Sequence, residues 1–466
     1  MFQRKSRLME VAVVNPPFTL SHRLCIRGFL ACLVLVCVAL AGCLRSASTV
    51  SQPEAQAAAG DTEKPSPYLY IWAGDADGKE SDFMAVVDVL PGSPRYGQVI
   101  SSVPVGEKGS MPHHLEYQLP EPGRWLFGNG HHTEKIFLFD LTEPELPRVH
   151  RVLGPVPPFR FPHDFARLPN GNVLVGFLRS EGPSPRAGDT LVPGGHGGIA
   201  ELDSEGRVLR SSSAAADVAE PVRPYGFAIL ADIDRLLTTS APMHESFSAD
   251  VVQVWRLSDL KLLTTLAVPP AHLPNRELLQ TRDSDGKPTP SGHRMPFVPR
   301  VMADGSVLLN AYGCGIYRVT ALDSDTPVIT NVYTIAVPPE VSIGGCSVPV
   351  TTGRFWVMPV GNAHRVAVLD ISDPAHPFEV ASLASEQDFF PHWLAKDPGA
   401  NRLILGEEMG HEHRMLMLQI DPATGRIWWD ESIRSADGSL GISFQRNEWP
   451  HGATGAALGH AALFHP

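Results

Sequence analysis

Four Pro-His dipeptides recur in the sequence, and they carry its clearest chemistry because imidazole nitrogens bind transition metals. Their contexts are Met111-Pro112-His113-His114, Phe161-Pro162-His163-Asp164, Phe390-Pro391-His392-Trp393 and Trp449-Pro450-His451-Gly452. An apolar stretch with strand character begins about ten to twelve residues after each of the first three. Proline fixes the backbone at a strand start, where its missing donor costs no ladder hydrogen bond. Each following imidazole is therefore held in a set direction.

The elements that must position these histidines repeat with a period of roughly 45 residues. Each repeat contains short apolar strands between Gly, Asp and Pro turns, and the chain of 466 residues has 41 Gly and 43 Pro. Long helical patterns are scarce. Seven such units predict an all-β, seven-bladed β-propeller over residues 67–466. We expect the segment 431–466 to return and complete or cover the first blade.

In a propeller, side chains at equivalent positions of the repeats converge on one central channel. The inner strand of each blade starts at the same face to which the loop between the second and third strands returns. Pro-His dipeptides occupy the inner-strand starts, so we predict a metal site formed by His113, His114, His163 and His392. Candidates for additional metal or mouth residues are His451, His131, His132, His411 and His413. Taken singly, each imidazole could instead cap a strand by bonding a backbone carbonyl.

The ligand types narrow the choice of metal. Neutral imidazoles, without a carboxylate cage or a CxxC pair in the body, favour copper, or else zinc, over calcium or magnesium. Asp164 follows His163 directly and is predicted to orient a ligand imidazole by accepting its second ring proton. The alternative for Asp164 is a solvated carboxylate.

The N-terminus has the pattern of a secretory signal. Arg23 and Arg27 precede an apolar run that ends in Leu40-Ala41-Gly42-Cys43, which resembles a bacterial lipobox. The run is too short to span a bilayer. Residues 1–43 are therefore predicted to be a lipoprotein signal peptide with Cys43 as the lipidated residue, and 44–66 a flexible tether. This places the protein in the bacterial cell envelope, lipid-anchored on the periplasmic side or the cell surface.

Charge and cysteine content limit the partners. Removal of residues 1–43 moves the net charge from −12 to −16, which argues against nucleic acid and leaves the lipid as the contact with membrane. A small-molecule substrate is the expected partner. Only Cys314 and Cys346 remain in the body. In an oxidising compartment they are predicted to form a disulfide, and two buried free thiols are the alternative.

The order of segments resembles the selenium-binding protein family, which includes copper-dependent methanethiol oxidases. His113-His114-Leu115-Glu116-Tyr117 is similar to the family's His-His-Ser-Gly-Trp segment, and Val368-Leu369-Asp370-Ile371-Ser372-Asp373-Pro374 is similar to its Tyr-Asp-Ile-Ser-Asp-Pro element. The matched segments cover most of residues 68–430. The family's Cys-Ser-Ser-Cys motif is missing, because residues 118–124 contain no cysteine. Thiol or selenium chemistry at that motif is therefore not expected here.

The resemblance implies a seven-bladed propeller with histidines and a metal near its axis. For some members it implies oxidation of methanethiol to formaldehyde, sulfide and peroxide. His113, His114 and His163 fall on family histidines, whereas His392 and His451 are placed only by their position in the repeat. The leading hypothesis is an envelope-anchored copper oxidase of a small thiol or related reductant. The alternative is a non-catalytic propeller that binds a ligand or protein partner at its His-rich mouth.

Overall fold

A computed structural model of the protein describes residues 64–119, 123–181, 194–243, 248–271, 281–282, 288–289, 295–341, 343–408 and 412–466. Cys43, the signal peptide, His411 and most of the tether lie outside these ranges. Among the described residues, no helix has the length and apolar character needed to cross a membrane. The described chain is all-β and forms seven antiparallel blades, six of four strands and one with a short fifth strand, which confirms the predicted fold class.

The strands follow the chain in blade order. The first blade takes its three outer strands from β1 (Tyr68–Asp75), β2 (Phe83–Asp88) and β3 (Val99–Pro104). The second and third blades consist of β4 (Pro112–Leu115), β5 (Trp125–Gly130), β6 (Lys135–Asp140), β7 (Arg148–Leu153), β8 (Phe159–Arg167), β9 (Val173–Ser180), β10 (Gly198–Leu202) and β11 (Val208–Ser213). The fourth blade consists of β12 (Pro224–Leu230), β13 (Arg235–Ser240), β14 (Val251–Arg256) and β15 (Lys261–Ala267).

A small hairpin of β16 (Thr281–Arg282) and β17 (Pro288–Thr289) precedes the fifth blade. The fifth and sixth blades consist of β18 (Pro296–Val301), β19 (Val307–Ala311), β20 (Gly315–Thr320), β21 (Val328–Thr334), β22 (Val350–Thr352), β23 (Phe355–Val360), β24 (Arg365–Asp370) and β25 (Phe378–Ala384). The seventh blade consists of β26 (Pro391–Lys396), β27 (Arg402–Glu407), β28 (Arg414–Ile420) and β29 (Ile427–Trp429), and short β30 (Ile442–Ser443) also pairs with β28. Short 3-10 turns cover Ala231–Ile233 and Gly361–Ala363.

The last strand, β31 (Ala457–Phe464), closes the circle of blades. It pairs antiparallel with β1, with Leu69 opposite Phe464, and becomes the innermost strand of the first blade. The expectation that the segment 431–466 returns to the first blade is confirmed. Because the two ends of the chain share one sheet, the circle closes without an exposed inner edge.

Burial explains why the middle strands are continuous apolar runs. All six residues of β2 and of β23 are buried, because each blade packs between two neighbours. The outermost strands alternate instead, as in β25, where exposed and half-buried residues take turns. The core therefore lies between the blades, and the starts of the inner strands remain available for a site.

Two faces of the propeller must be distinguished. At one face the inner strands begin, as β4 does at Pro112, and the second strands end, as β5 does at Gly130. We call this face the mouth face. The opposite face, where inner strands end and second strands begin, is the far face. Residues 64 and 66 are bound at the far face: the Lys64 amide donates to the carbonyl of Gly399 at 2.9 Å, and the Ser66 hydroxyl donates to Asp397 at 2.9 Å. Residues 64 to 66, which the sequence assigned to the end of the tether, are thus held against the seventh blade.

Cys314 and Cys346 form a disulfide in the structure. Cys314 lies between the second and third strands of the fifth blade, and Cys346 precedes the inner strand of the sixth. The bridge therefore joins neighbouring blades and closes a loop with a sequence separation of 32 residues. A loop of this length is expected to add roughly 3 kcal/mol to the free energy of unfolding.

We expect non-reducing peptide mapping to recover Cys314 and Cys346 in one cross-linked peptide pair that separates on reduction. Replacing Cys314 with Ser should lower the free energy of unfolding by roughly 3 kcal/mol, measured in urea without reductant. In the presence of reductant the wild type should unfold like the variant. Recovery of both cysteines as alkylated free thiols from unreduced protein would contradict the bridge.

Candidate metal centre

His113, His114 and His163 come together at the mouth end of the channel. One side-chain nitrogen from each can be chosen so that all three atoms lie within 4.8 Å of one another. The Nε2 atoms of His113 and His163 are 3.2 Å apart, and all three side chains are buried. The first two residues lie on β4 and the third on β8, so adjacent blades supply them.

Local backbone irregularities aim these side chains inward. The pairing of β4 with β5 shifts register between Pro112 and Leu115, and β8 shifts in the same way between Pro162 and Phe165. Such a bulge suspends the strict alternation of side chains between the two faces of a sheet. That is how the consecutive residues His113 and His114 both reach the site. The residue before each proline has positive φ, 54° at Met111 and 59° at Phe161, a conformation that non-glycine residues adopt rarely.

The same irregularity recurs in three other blades. Register shifts follow Pro224 in β12, Pro296 in β18 and Pro391 in β26. The side chains at these bulged positions, together with His460 at a register shift in β31, form an arc of rings. We call this arc the collar: His392, His460, His113, His163, Tyr225 and Phe297. Neighbouring ring centroids along the collar are between 4.0 and 5.0 Å apart. One part of the collar is histidine and the other is aromatic and apolar.

Hydrogen bonds fix the protonation of two imidazoles. His163 Nδ1 donates to the carbonyl of Tyr225 at 3.1 Å, and His460 Nδ1 donates to the carbonyl of His113 at 2.8 Å. A carbonyl only accepts, so each Nδ1 carries the proton and each Nε2 keeps its lone pair. Asp164 was predicted to orient a ligand imidazole. In the structure its Oδ1 lies 3.1 Å from Nδ1 of His114, in position to do so.

Burial keeps the group uncharged at neutral pH. Burial holds the pKa values of His113 and His114 well below their usual range, and it lowers the pKa of His163 to about 3 and that of His392 to about 4. Burial also raises the pKa of Asp164 to about 7, against the opposing charge of Arg300. Neutral imidazoles are the form that binds metals, so no proton must be displaced from them near pH 7.

Several buried nitrogens have no hydrogen-bond partner within the described chain. These atoms are Nδ1 of His113, Nε2 of His114, and both ring nitrogens of His392. Buried polar atoms are normally satisfied, because each unmade hydrogen bond costs on the order of 1–3 kcal/mol. Each neutral imidazole has one lone pair, so His113, His114 and His392 each offer one, and a group of such lone pairs is what a cation site requires. The donor set thus fits a transition metal with nitrogen ligands.

Sequence reasoning missed His460, which the structure places beside both His113 and His392, with ring centroids at 4.3 and 4.8 Å. His460 lies on β31, the strand that supplies the inner position of the first blade. No proline precedes it, so the Pro-His search passed over it. Treating β31 as one more inner strand would have found it.

The remaining predicted histidines lie around the collar or away from it. His131 is buried with its ring 5.8 Å from that of His113, and His132 lines the cavity above. His413 donates from Nδ1 to the carbonyl of Ala457 at 3.0 Å, so it braces β31.

His451 lies elsewhere in the structure. Its Nδ1 is 2.6 Å from the Ser102 hydroxyl on β3, the outermost strand of the first blade. The fourth Pro-His dipeptide is therefore not an inner-strand start. Trp449, just before it, packs on Phe83 at a centroid distance of 4.5 Å, which draws the turn to the outside of the blade.

A cavity of about 840 Å³ opens at the mouth face above the collar. His113, His392 and His460 contribute to its lining, so a small molecule inside reaches the histidine group directly. Apolar and aromatic walls come from Met111, Met295, Pro112, Pro242, Tyr225, Phe297 and Tyr312. Its size lies within the range for small-molecule sites, about 300–1,000 Å³.

The chain is similar in sequence to two curated proteins and similar in fold to several solved structures. No family model matches the chain. Methanethiol oxidases from Hyphomicrobium sp and Ruegeria pomeroyi are each 24% identical to it, over 338 and 341 residues, or 68% and 67% of this chain and 70% and 72% of theirs.

Solved structures share the fold. A hypothetical selenium-binding protein from Sulfolobus tokodaii has a TM-score of 0.65 at 16% identity, covering 86% of this chain and 94% of its own. A periplasmic gluconolactonase from Pseudomonas aeruginosa has a TM-score of 0.54 at 15% identity, covering 77% and 93%. At such identities the structural likeness shows the propeller fold alone.

Proposed function

We propose that this chain, a distant member of the selenium-binding protein and methanethiol oxidase family, is a metal-dependent oxidase of small thiols. The observation that carries the proposal is the group of buried, uncharged imidazoles at the floor of a cavity open to small molecules. Its relatives named methanethiol oxidase point to the same substrate class.

We further propose copper as the metal, held by His113, His114 and His163, with His392 and His460 beside them as additional donors. Imidazole nitrogens without carboxylates favour copper or zinc over calcium and magnesium, and only copper of the two changes its oxidation state. When bound, copper would supply a Lewis acid for a thiolate and a centre for electron transfer.

The chain's own residues would prepare the site. The Tyr225 carbonyl and Asp164 hold His163 and His114 by their Nδ1 atoms, which leaves the Nε2 atoms of both available to a metal. Collar residues on the opposite side present apolar surface to the substrate's carbon atoms. For methanethiol the balanced reaction consumes one O₂ and one water, breaks the C–S bond, and yields formaldehyde, H₂S and H₂O₂.

The decisive experiment is metal analysis of purified protein together with a thiol-dependent assay. Near-stoichiometric copper, and O₂ uptake with sulfide and peroxide release on addition of methanethiol, would support the proposal. Calcium in place of copper, or copper without thiol-dependent O₂ uptake, would contradict it. Purified protein without any metal would favour a non-catalytic propeller that binds its ligand at the mouth.

Attachment to the bacterial cell envelope through Cys43 is also a proposal, since that residue lies outside the described structure. Cys43→Ala should leave the protein unprocessed or released into the soluble fraction, because the preceding apolar run is too short to span a bilayer. Fractionation and labelling with a radioactive fatty acid would measure this. Cys37→Ala, a change in the same segment, should have no effect. Persistent membrane attachment and labelling of the Cys43→Ala variant would refute the lipobox assignment.

A further inference from the structure

The aromatic part of the collar continues away from the histidines as a line of rings. The Tyr225 ring lies 4.0 Å from that of His163, Phe297 lies 4.2 Å from Tyr225, and Tyr312 lies 5.1 Å from Phe297. All three aromatic residues also line the cavity. A molecule whose reacting group sits at the histidines would therefore extend across their faces or edges.

A carboxylate stands at the end of this line. The Tyr312 hydroxyl donates to Glu408, with both carboxylate oxygens at 3.2 Å, and Glu408 Oε2 lies 3.8 Å from His392 Nδ1. The side chain of Glu408 keeps 29% of its surface exposed, so it faces the cavity. Glu408 thus lies within a short alkyl chain's reach of the histidine group.

The charged side chains that line the cavity are all acidic among the described residues. Its charged lining residues are the carboxylates Asp75, Asp82, Glu407 and Glu408, and no lysine or arginine of the described chain lines it. All four carboxylates accept protein hydrogen bonds: Asp75 from the Lys79 amide at 2.7 Å, Asp82 from the Ser110 amide at 2.6 Å, Glu407 from the Glu412 amide at 3.1 Å, and Glu408 from the Tyr312 hydroxyl at 3.2 Å. An acidic cavity attracts cations and repels anions.

Independent signs of a ligand come from His392 and from the size of the cavity. His392 is 4% exposed, lines the cavity, and has no hydrogen-bond partner for either ring nitrogen in the described chain. The cavity of about 840 Å³ is also far larger than a one-carbon thiol can fill. The volume of the cavity indicates a ligand with further groups.

We propose, building on the thiol oxidase function above, that the preferred substrates are small primary aminothiols. The thiol lies at the histidine group, and the ammonium group lies between the Glu408 carboxylate and the rings of Phe297 and Tyr312, where ion pairing and cation–π attraction both act. The reaction is the same: the C–S bond breaks, its carbon becomes an aldehyde, sulfur leaves as H₂S, and O₂ is reduced to H₂O₂ with one water consumed.

The first test needs no turnover. Calorimetric titration of the metal-loaded protein with propylammonium, propanol and propionate compares a cation, a neutral molecule and an anion of similar size. We expect propylammonium to bind about tenfold more tightly than propanol, and propionate to bind least. Equal binding of the three probes, or no binding of propylammonium, would overturn the proposal.

Glu408→Gln should reduce propylammonium affinity about tenfold and leave propanol unaffected. Glu145→Gln is the matched control, because Glu145 also accepts a tyrosine hydroxyl, that of Tyr68 at 2.5 Å, but lies outside the cavity. It should bind all three probes like the wild type. Equal effects of both substitutions would overturn the assignment to Glu408.

Turnover separates this inference from the proposed function. Cysteamine should have a higher kcat/KM than mercaptoethanol, and mercaptoacetate the lowest. Oxidation of all three thiols at equal efficiency would refute the substrate preference while upholding the oxidase. Selective binding of propylammonium without oxidation of any thiol would refute the oxidase, while the cation selectivity of the cavity would stand.

Discussion

Replacing His114 or His163 with Ala should remove most of the bound metal and leave the propeller folded. Each side chain contributes a donor to the same small group, and loss of an outer partner alone typically costs about 10–100-fold in metal affinity. Loss of a ligand should therefore weaken binding by roughly 100-fold or more. The blades are held by strand pairing and by core packing between sheets, so the circular dichroism spectrum should not change. Metal content per chain, measured after dialysis, gives the result.

Two further substitutions calibrate this prediction. Asp164→Asn keeps a side chain beside His114 but removes the carboxylate, and it should weaken metal binding by about 10–100-fold. His376→Ala is the control, because the His376 side chain is 83% exposed and pairs with Asp373 in a turn outside the cavity. Full metal content in both the His114→Ala and His163→Ala variants would rule out the central metal site.

Arg402→Ala should lower the free energy of unfolding by about 3–5 kcal/mol, the usual cost of breaking a buried ion pair from one side. Arg402 is 3% and Asp397 0% exposed, and Nε of the arginine donates to the carboxylate at 2.7 Å. The same guanidinium donates to the carbonyls of Val89 at 2.6 Å and Ser66 at 2.8 Å. One side chain thus joins the seventh blade, the first blade and the N-terminal segment. Urea-induced unfolding measures the effect.

Arg148→Ala provides the comparison for this change. Arg148 also forms an ion pair, with Glu143 at 2.5 Å, but the two side chains are 71% and 57% exposed. Water screens such a pair, so the loss should stay below about 1 kcal/mol. Equal destabilisation by the two substitutions would contradict the role assigned to Arg402 in closing the propeller.

The period of the strands predicted the propeller. Every blade must bury both of its faces, so every repeat contains apolar strands separated by turn residues. Position in the repeat also predicted that His392 stands at the start of an inner strand, although more than two hundred residues separate it from His163. Its role as a metal ligand stays a prediction. The same reasoning was misled at His451, where an identical dipeptide belongs to an outer turn. It missed His460 because Gly459, and not a proline, precedes this histidine at the inner strand of the first blade.

Other parts of the site depend on strand pairing and on side-chain contacts between blades, which cannot be predicted from a single sequence. The bulges after Pro112 and Pro162 become visible only when strands are paired, and they decide which faces the histidines occupy. The relation of Glu408 to Tyr312 joins residues of two different blades through side-chain geometry. Neither has a local pattern in the sequence. Residue types were therefore predictable at this site, whereas their mutual orientation was not.

The direction of β1 has a consequence for how substrate arrives. This strand of eight residues starts at the far face with Tyr68 and ends with Asp75, which lines the cavity at the mouth face. An extended strand of that length spans roughly 25 Å. The chain therefore enters the propeller about one molecular thickness behind the opening of the cavity. A substrate that approaches the mouth face therefore meets the cavity without passing residues 64 to 66, which are held at the far face.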